Sequence, residues 1–599
     1  MLDPNQRSLL TSLLTPPPGM VFDQGLATTF TLDPLTLLGV PLHLAWLSSR
    51  EGSSTLADPI CLLEALQRVT KRLTVFSDRG RIHVPGQANA LFALLEDTIV
   101  EVRAPRGGAF HPKLWLLRFV DGGASAGVVL RLGVLSRNLT NDRSWDLSLV
   151  LEGSPRGSYV AANRELGQLI ARLPSWSVRE VPSTRRELAT QLADEFRRTA
   201  WEAPGRWDGV SFHVLGAKRA PFDPGGGDEL AVISPFLTPG ALELLRRGAR
   251  RPMALISRSD TLARLPAEAR AAFDRCLVLD DAAETEDGEE PENLDKLGLH
   301  AKAILLRRGW YMHLFVGSAN ATSAAMVSAR NVEVMVELVG RHSQVGRIEQ
   351  LLAPEGFGGV LTDFDPETEP DPEVEARAET ERRLEQLQIL LAEADLSVRC
   401  KPSGDGTWAL TLDTGTDVII GDSAASCWPL SLQPERAADL RPLEGAKSID
   451  LATVDPADIT GLVGFELRLN DVTRRFALNL MIVGLPDDRD AAILRRVVRN
   501  REGFLRYLRL LLGGLGGDGP AGDVGGDGGG TPWRFSGAGG TEALLEDLVR
   551  VWAREPARLR DVQRVVERLR GHEGDDGAIV PPDFDALWMV FEQALEEAP

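Results

Sequence analysis

Two stretches of this chain carry the same ordered set of polar residues, and that duplication constrains the fold more than any other feature. The first runs Phe110-His111-Pro112-Lys113, then two strand-like segments, then Leu135-Ser136-Arg137-Asn138-Leu139-Thr140, ending at Asp146. The second runs Leu299-His300-Ala301-Lys302, two strand-like segments, then Gly317-Ser318-Ala319-Asn320-Ala321-Thr322, ending at Asn331-Val332-Glu333. The interval from His to Asn is longer in the first copy, and the loop Asp121–Gly127 holds the excess. A lone His-x-Lys pair is common by chance, and a lone Ser-x-Asn is an ordinary turn. The same order twice, with strands between, is far rarer.

The surrounding pattern is mixed α/β. Strand-like runs cover Lys113–Val120, Val128–Leu135, Leu147–Glu152, Lys302–Leu306, Tyr311–Val316 and Val332–Leu338. Helical periodicity covers Asp58–Leu73, Tyr159–Leu173 and Thr184–Trp201. Alternating strands and helices imply sheets covered by helices. An acidic, Pro-rich linker follows at Asp363–Glu375, then a charged helical stretch to about Ala394. The segments WALTLD, TDVIIGD, GFELRLN and RRFALNLMIVG predict a small antiparallel β domain over 396–487. The remainder, 488–599, reads as helical, interrupted by Gly513–Gly530. That Gly-rich stretch lacks the Gly-Lys-Ser/Thr end of a phosphate loop and reads as a flexible connection. The acidic run Asp280–Asp295 reads as a solvated loop, with a mobile flap competing for the cleft as the sharper alternative.

Composition narrows the class. Among 599 residues, 66 Lys+Arg against 86 Asp+Glu leave a net charge of −20, which argues against a general nucleic-acid coating protein. A local basic cleft remains compatible with that balance. The four cysteines form no CxxC, which excludes a disulfide framework or a cysteine zinc site. No apolar run approaches the roughly 20 residues that span a bilayer. With no basic-then-apolar leader at the N-terminus, a cytoplasmic location is expected.

The repeated residues have a chemical logic. Side chains two apart on a strand share a face, so His111 points with Lys113 and His300 with Lys302. The following turns deliver Asn138 and Asn320, with Ser136 and Ser318 as further substrate contacts. Lys supplies a point charge and Asn a donor for a phosphate oxygen. Two such blocks face to face would hold one phosphodiester between two imidazoles. One neutral histidine attacks phosphorus, and the other, protonated, donates to the leaving oxygen and then activates water. Asp146 and Glu333 are the acidic candidates to fix a histidine tautomer. Two lysines would stabilise the transferring phosphoryl group, so no metal or other cofactor is expected.

With these residues, the sequence resembles the phospholipase D-like phosphodiesterases, which carry two HxK…N motifs in one chain. The resemblance covers roughly residues 20–345. It implies two pseudo-twofold-related α/β lobes, 1–180 and 181–362, before the linker and helix at 363–395. It also implies His111 as nucleophile and His300 as acid. The family's Asp after each HxK is absent here, with Arg118 and Arg307 in those positions; tyrosyl-DNA phosphodiesterases of the same superfamily also lack that Asp. The resemblance thus implies a nuclease acting on DNA, of the antiviral-defence type that works with a helicase; the lack of an apolar span or a basic amphipathic anchor argues against membrane association. A lipid phosphodiesterase or phosphatidyl transferase and an inactive nucleic-acid-binding regulator are the alternatives. Arg103, Arg106 and the run Arg246, Arg247, Arg250, Arg251, Arg258 and Arg264 are candidates to line the cleft, and Trp115, Trp145 and Trp310 to stack on bases.

Overall fold

The structure is a computed structural model that describes residues 10–46, 59–121, 127–141, 144–218, 220–280, 298–365, 372–513, 541–554 and 559–597. The loop after Asp121, the acidic run after Asp280 and the Gly-rich stretch lie outside the described residues.

The chain is an α/β protein built on two mixed sheets. In the first, strands β1 (Met20–Thr29), β2 (Leu73–Asp78), β3 (Ile99–Val102), β4 (Leu114–Asp121), β5 (Val128–Leu135), β6 (Ser148–Pro155) and β7 (Thr199–Trp201) lie in the order β3-β2-β1-β4-β5-β6-β7. The second sheet uses β8 (Gly209–Leu215), β9 (Gly227–Ile233), β10 (Ala249–Ile256), β11 (Arg275–Leu279), β12 (Ala303–Arg308), β13 (Tyr311–Gly317), β14 (Glu333–Arg341) and β15 (Leu361–Asp363). Its order is β15-β11-β10-β9-β12-β13-β14-β8. Both sheets place three parallel strands beside four antiparallel ones, β4 to β7 and β12, β13, β14 and β8, joined at β1–β4 and at β9–β12. The strand that follows each His-x-Lys segment is therefore the antiparallel neighbour of the parallel trio in its sheet, β4 beside β1 and β12 beside β9.

Alternation along the strands builds three layers of core. Leu114 and Leu116 of β4 and Ala303 and Leu305 of β12 enter one shared core between the sheets, with the helices Arg164–Arg172 and Ser183–Arg198. Trp115, Leu117 and Phe119 point to the other side of the first sheet, and Ile304 and Leu306 to the other side of the second. Trp115 is thus a core residue and not a base platform.

Some local readings move. The helix expected to Trp201 stops at Arg198, because Thr199-Ala200-Trp201 pairs with β6, and the helix starting at Pro59 ends at Val69 so that Leu73 can open β2. TDVIIGD is not a strand: the Ile420 and Gly421 N–H groups both donate to Glu444 Oε1, at 2.7 and 3.0 Å. The β region holds two four-stranded sheets, and Met481–Val483 pairs parallel with Leu396–Gly404, so the region is not purely antiparallel.

The C-terminal part is welded to the first sheet. Leu462, Ala477, Ile493, Phe504, Leu548 and Trp588 share one core with Leu38, Leu63 and Leu117. Glu96 is the polar clamp. Its Oε1 accepts from Thr460 Oγ1 at 2.6 Å and Gly461 N at 2.8 Å, and its Oε2 pairs with Arg489 at 2.6 Å. Among the described residues no helix is long and apolar enough to cross a membrane. Removing one partner of a buried ion pair strands the other. Glu96→Ala should therefore lower unfolding stability by about 3–5 kcal/mol in urea titration; an unchanged midpoint would refute the clamp.

Candidate active site

The two motif segments are extended lead-ins to β4 and β12, and each is stitched to the other half of the molecule. His111 N donates to Val332 O at 3.0 Å, and Val332 N donates to Ala109 O at 2.9 Å. In mirror fashion His300 N donates to Trp145 O at 2.9 Å, and Trp145 N to Gly298 O at 3.0 Å. Gly108 makes the first approach possible: a Cβ there would lie 2.3 Å from Arg330 O. These pairings carry Glu333, just after Val332, to His111, and set Asp146, just after Trp145, in the equivalent place beside the His300 segment.

Glu333 Oε2 lies 2.8 Å from His111 Nδ1 and accepts from Ser318 Oγ at 2.6 Å. His111 Nδ1 also lies 3.1 Å from Ser318 O, and its Nε2 faces Lys113 Nζ at 3.0 Å. The imidazole packs on Phe30 with ring centroids 4.9 Å apart. In the other half, Asp146 accepts from Ser136 Oγ at 2.8 Å and from Ser144 Oγ at 2.9 Å. Lys302 Nζ donates to His300 O at 2.8 Å and reaches across to Ser136 O at 3.3 Å. The contacts from His111 to Ser318 and from Lys302 to Ser136 run in opposite directions between the halves, so the two blocks face one hollow.

Ser136 and Ser318, expected to meet substrate, are buried and spend both hydrogen-bonding directions internally. Each donates to its carboxylate and accepts a backbone N–H, from Leu147 at 2.8 Å and Val334 at 3.0 Å. They are buckles for the acids. Asn138 and Asn320 differ from them. The Oδ1 atom of each is buried without a hydrogen-bond partner, at the same place in both repeats. An amide turned over at its last bond offers an N–H from that place. The N–H after each Asn is pinned, Leu139 to Thr29 Oγ1 at 3.0 Å and Ala321 to Ser234 Oγ at 2.9 Å.

Charge is concentrated where water is scarce. Lys113, Lys302 and Glu333 are 3%, 4% and 1% exposed. Burial, then the like charge of Lys302, holds the Lys113 ammonium well below its usual range. Burial holds His111 below its ordinary value too, with Glu333 opposing and both lysines assisting. Burial pushes the Glu333 carboxyl up, but the charges and hydrogen bonds of His111, Lys113 and Ser318 more than reverse it. A neutral imidazole whose Nδ1–H is held by a carboxylate presents its lone pair at Nε2.

Other candidates fall elsewhere. Arg118 pairs with Asp23 and Glu195, and Arg307 with Asp228 and Glu229, so each is neutralised rather than freely solvated. Arg247, Arg250 and Arg251 pair with Glu243, Asp228 and Asp274 around the start of β10, at the opposite end of the sheet from the hollow. Arg106 is tied to the carbonyls of Gly216 and Lys218, and Arg103 to that of Ala392. The Trp145 ring packs on Phe357, and exposed Trp310 stacks on His342 at the far turn between β12 and β13. His313 pairs with Glu337 at 2.7 Å.

Sequence reasoning passed over Asp78, at the end of β2. Its Oδ1 accepts from Phe110 N at 2.9 Å, fixing the residue before His111. Burial lifts its carboxyl to about 7, against the Phe110 amide, Arg81 and Lys113. The signal was an acid closing an apolar strand just before Arg79-Gly80.

No family model matches the chain, and no curated protein matches it in sequence. Among solved structures, the phosphatidylserine synthase of Haemophilus influenzae Rd KW20 is similar to it at 11% identity and a TM-score of 0.32. The match covers 64% of this chain and 92% of that one.

An unfolded aspartate titrates near about 3.9. Between that value and about 7 the folded chain keeps a proton on Asp78 that the unfolded chain has lost, so stability falls as pH rises through the window. Asp78→Asn keeps an acceptor for Phe110 and removes the titration. Its melting-temperature gain over the parent should grow across that window and level above it; a pH-independent difference would refute the assignment.

Proposed function

We propose that this chain is a phosphodiesterase of the phospholipase D-like type, acting on nucleic acid, DNA before RNA, through a covalent phosphohistidine on His111. One observation carries the reading: His111 is gripped at Nδ1 by Glu333 from the opposite half, with Nε2 left facing Lys113. That grip fixes the tautomer a nucleophile needs.

In the first step Nε2 attacks phosphorus and the bond to the leaving oxygen breaks. His300 gives its proton to that oxygen. In the second step His300 takes a proton from water, whose oxygen attacks phosphorus as the Nε2–P bond breaks. Lys113 and Lys302 hold the non-bridging oxygens, and the Asn138 and Asn320 amides complete the cradle. Asp146 is the positioning residue for the His300 side. An arriving phosphodiester supplies the negative charge that the crowded Lys113 lacks, which favours its ammonium form in the complex.

Nucleic acid is preferred because the Asp expected after each HxK is missing at 118 and 307, as it is missing in the nucleic-acid enzymes of the resembling superfamily. A helicase partner and a role in defence against foreign DNA rest on the same resemblance, with co-purification from the native host as their test.

The deciding experiment incubates single-stranded, double-stranded and end-blocked DNA and RNA with the protein in EDTA, beside liposomes assayed for head-group release. Cleavage of DNA with chelator present, lost in His111→Ala and His300→Ala, is expected. A labelled phosphoryl group should be trapped on His111 after quenching. Glu333→Gln should lower kcat by about 10²–10⁴-fold, the usual worth of positioned proton chemistry. Head-group release without nucleic-acid cleavage would replace the substrate, and failure to trap any phosphohistidine would overturn the mechanism.

A further inference from the structure

The two halves match closely at the hollow and differ sharply at one corner. Thr29 and Ser234 are equivalent, since each hydroxyl accepts the N–H that follows the motif Asn. The next common point is Leu32 and Leu237, which bridge to Leu139 and Ala321 respectively. Thr31 therefore corresponds to Phe236. On the neighbouring strand Thr29 pairs with Ser77, and Ile233 pairs with Ile256, which sets Ser257 beside Ser234. Asp78 therefore corresponds to Arg258.

At these matching positions the first half thus has a hydroxyl and a carboxyl, its own ring–guanidinium pair, Phe30 under Arg81, being packed on His111. The second half has an aromatic ring and a guanidinium that also pairs with Asp260 at 3.4 Å. Arg258 Cζ lies 6.0 Å from the centroid of Phe236, a residue that is 48% exposed. The backbone beneath that ring is pinned on both sides. Ser234 Oγ donates to Phe236 O at 2.7 Å, and Thr238 N donates to Ala321 O at 3.0 Å. Phe236 is thus held at the rim, beside the segment that carries Asn320. An exposed ring of this kind gains by stacking on any nucleobase, because every base has an aromatic face. A guanidinium beside it adds attraction for base and phosphate together. The carboxyl at the matching place near His111 gives a phosphate backbone nothing to bind.

Resting on the phosphodiesterase reading, we infer that Phe236 and Arg258 form a nucleobase subsite on the His300 side of the hollow, which receives the base of the leaving fragment. The polarity follows from the chemistry: the leaving oxygen lies toward its proton donor, His300, so the fragment it belongs to lies over the second half. The subsite gives the pseudo-symmetric hollow a direction. It also selects a phosphodiester flanked by a base over one flanked by an alkyl chain.

The test compares the parent with Phe236→Ala, Phe236→Trp and Arg258→Ala on a single-stranded oligonucleotide and on bis(p-nitrophenyl) phosphate. Loss of one stacked base should raise KM for the oligonucleotide about tenfold. The effect on the small diester should be several-fold smaller, and Phe236→Trp should restore the oligonucleotide KM. A 2-aminopurine on the leaving side of the scissile phosphate should be quenched on binding to the parent and not to Phe236→Ala. Equal losses on both substrates, or quenching that survives Phe236→Ala, would overturn the subsite. A parent that quenches the probe but turns over neither substrate would instead sink the catalytic reading and leave the subsite standing.

Discussion

Four backbone hydrogen bonds between the halves, His111 to Val332, Val332 to Ala109, His300 to Trp145 and Trp145 to Gly298, set everything else in the hollow. They are short-range and directional, so they fix register as a strand ladder does. Register decides which acid meets which histidine. With Val332 paired to this stretch, the next residue, Glu333, lands on His111 Nδ1. The shared core between the sheets holds the halves together, but apolar packing alone is non-directional and would not aim a carboxylate.

The hollow is costly to maintain. Lys113 and Lys302 sit close enough to depress Lys113, and Glu333 is almost wholly removed from water. Groups in that condition lower folding stability unless every one is paired. Ser136, Ser144, Ser318 and Asn331 supply that pairing for the acids. The lysines have carbonyl partners, and Lys113 stays depressed although Glu333, Asp146 and Asp78 all favour its charge. A stable core would replace the lysines with apolar groups; the phosphodiester chemistry proposed above would need them.

Much of this was visible in the letters. The His-x-Lys spacing, the intervening hairpins and the β5 limits Val128–Leu135 follow from period-two alternation. The acids at 146 and 333 were legible as residues that close each block. What the letters hid was the crossing: nothing in a linear pattern says that the acid closing the second block reaches the histidine opening the first. Asp78 was hidden for a similar reason, since β2 becomes relevant only once it lies beside β1. The Arg246–Arg251 run misled because proximity in sequence to the motifs hid its place at the far end of the sheet. The clamp at Glu96 was invisible too, since its partners Thr460, Gly461 and Arg489 arrive from the distant C-terminal part.

The crosswise stitching has a consequence for biosynthesis. A ribosome releases the His111 segment long before Val332 and Glu333 exist, so the growing chain passes through most of its first lobe with a histidine whose tautomer nothing holds. The His111–Glu333 contact forms only when β14 of the second sheet has emerged and docked. A truncated or stalled product lacking Val332 and Glu333 would therefore lack the partner that grips His111 in the proposed chemistry.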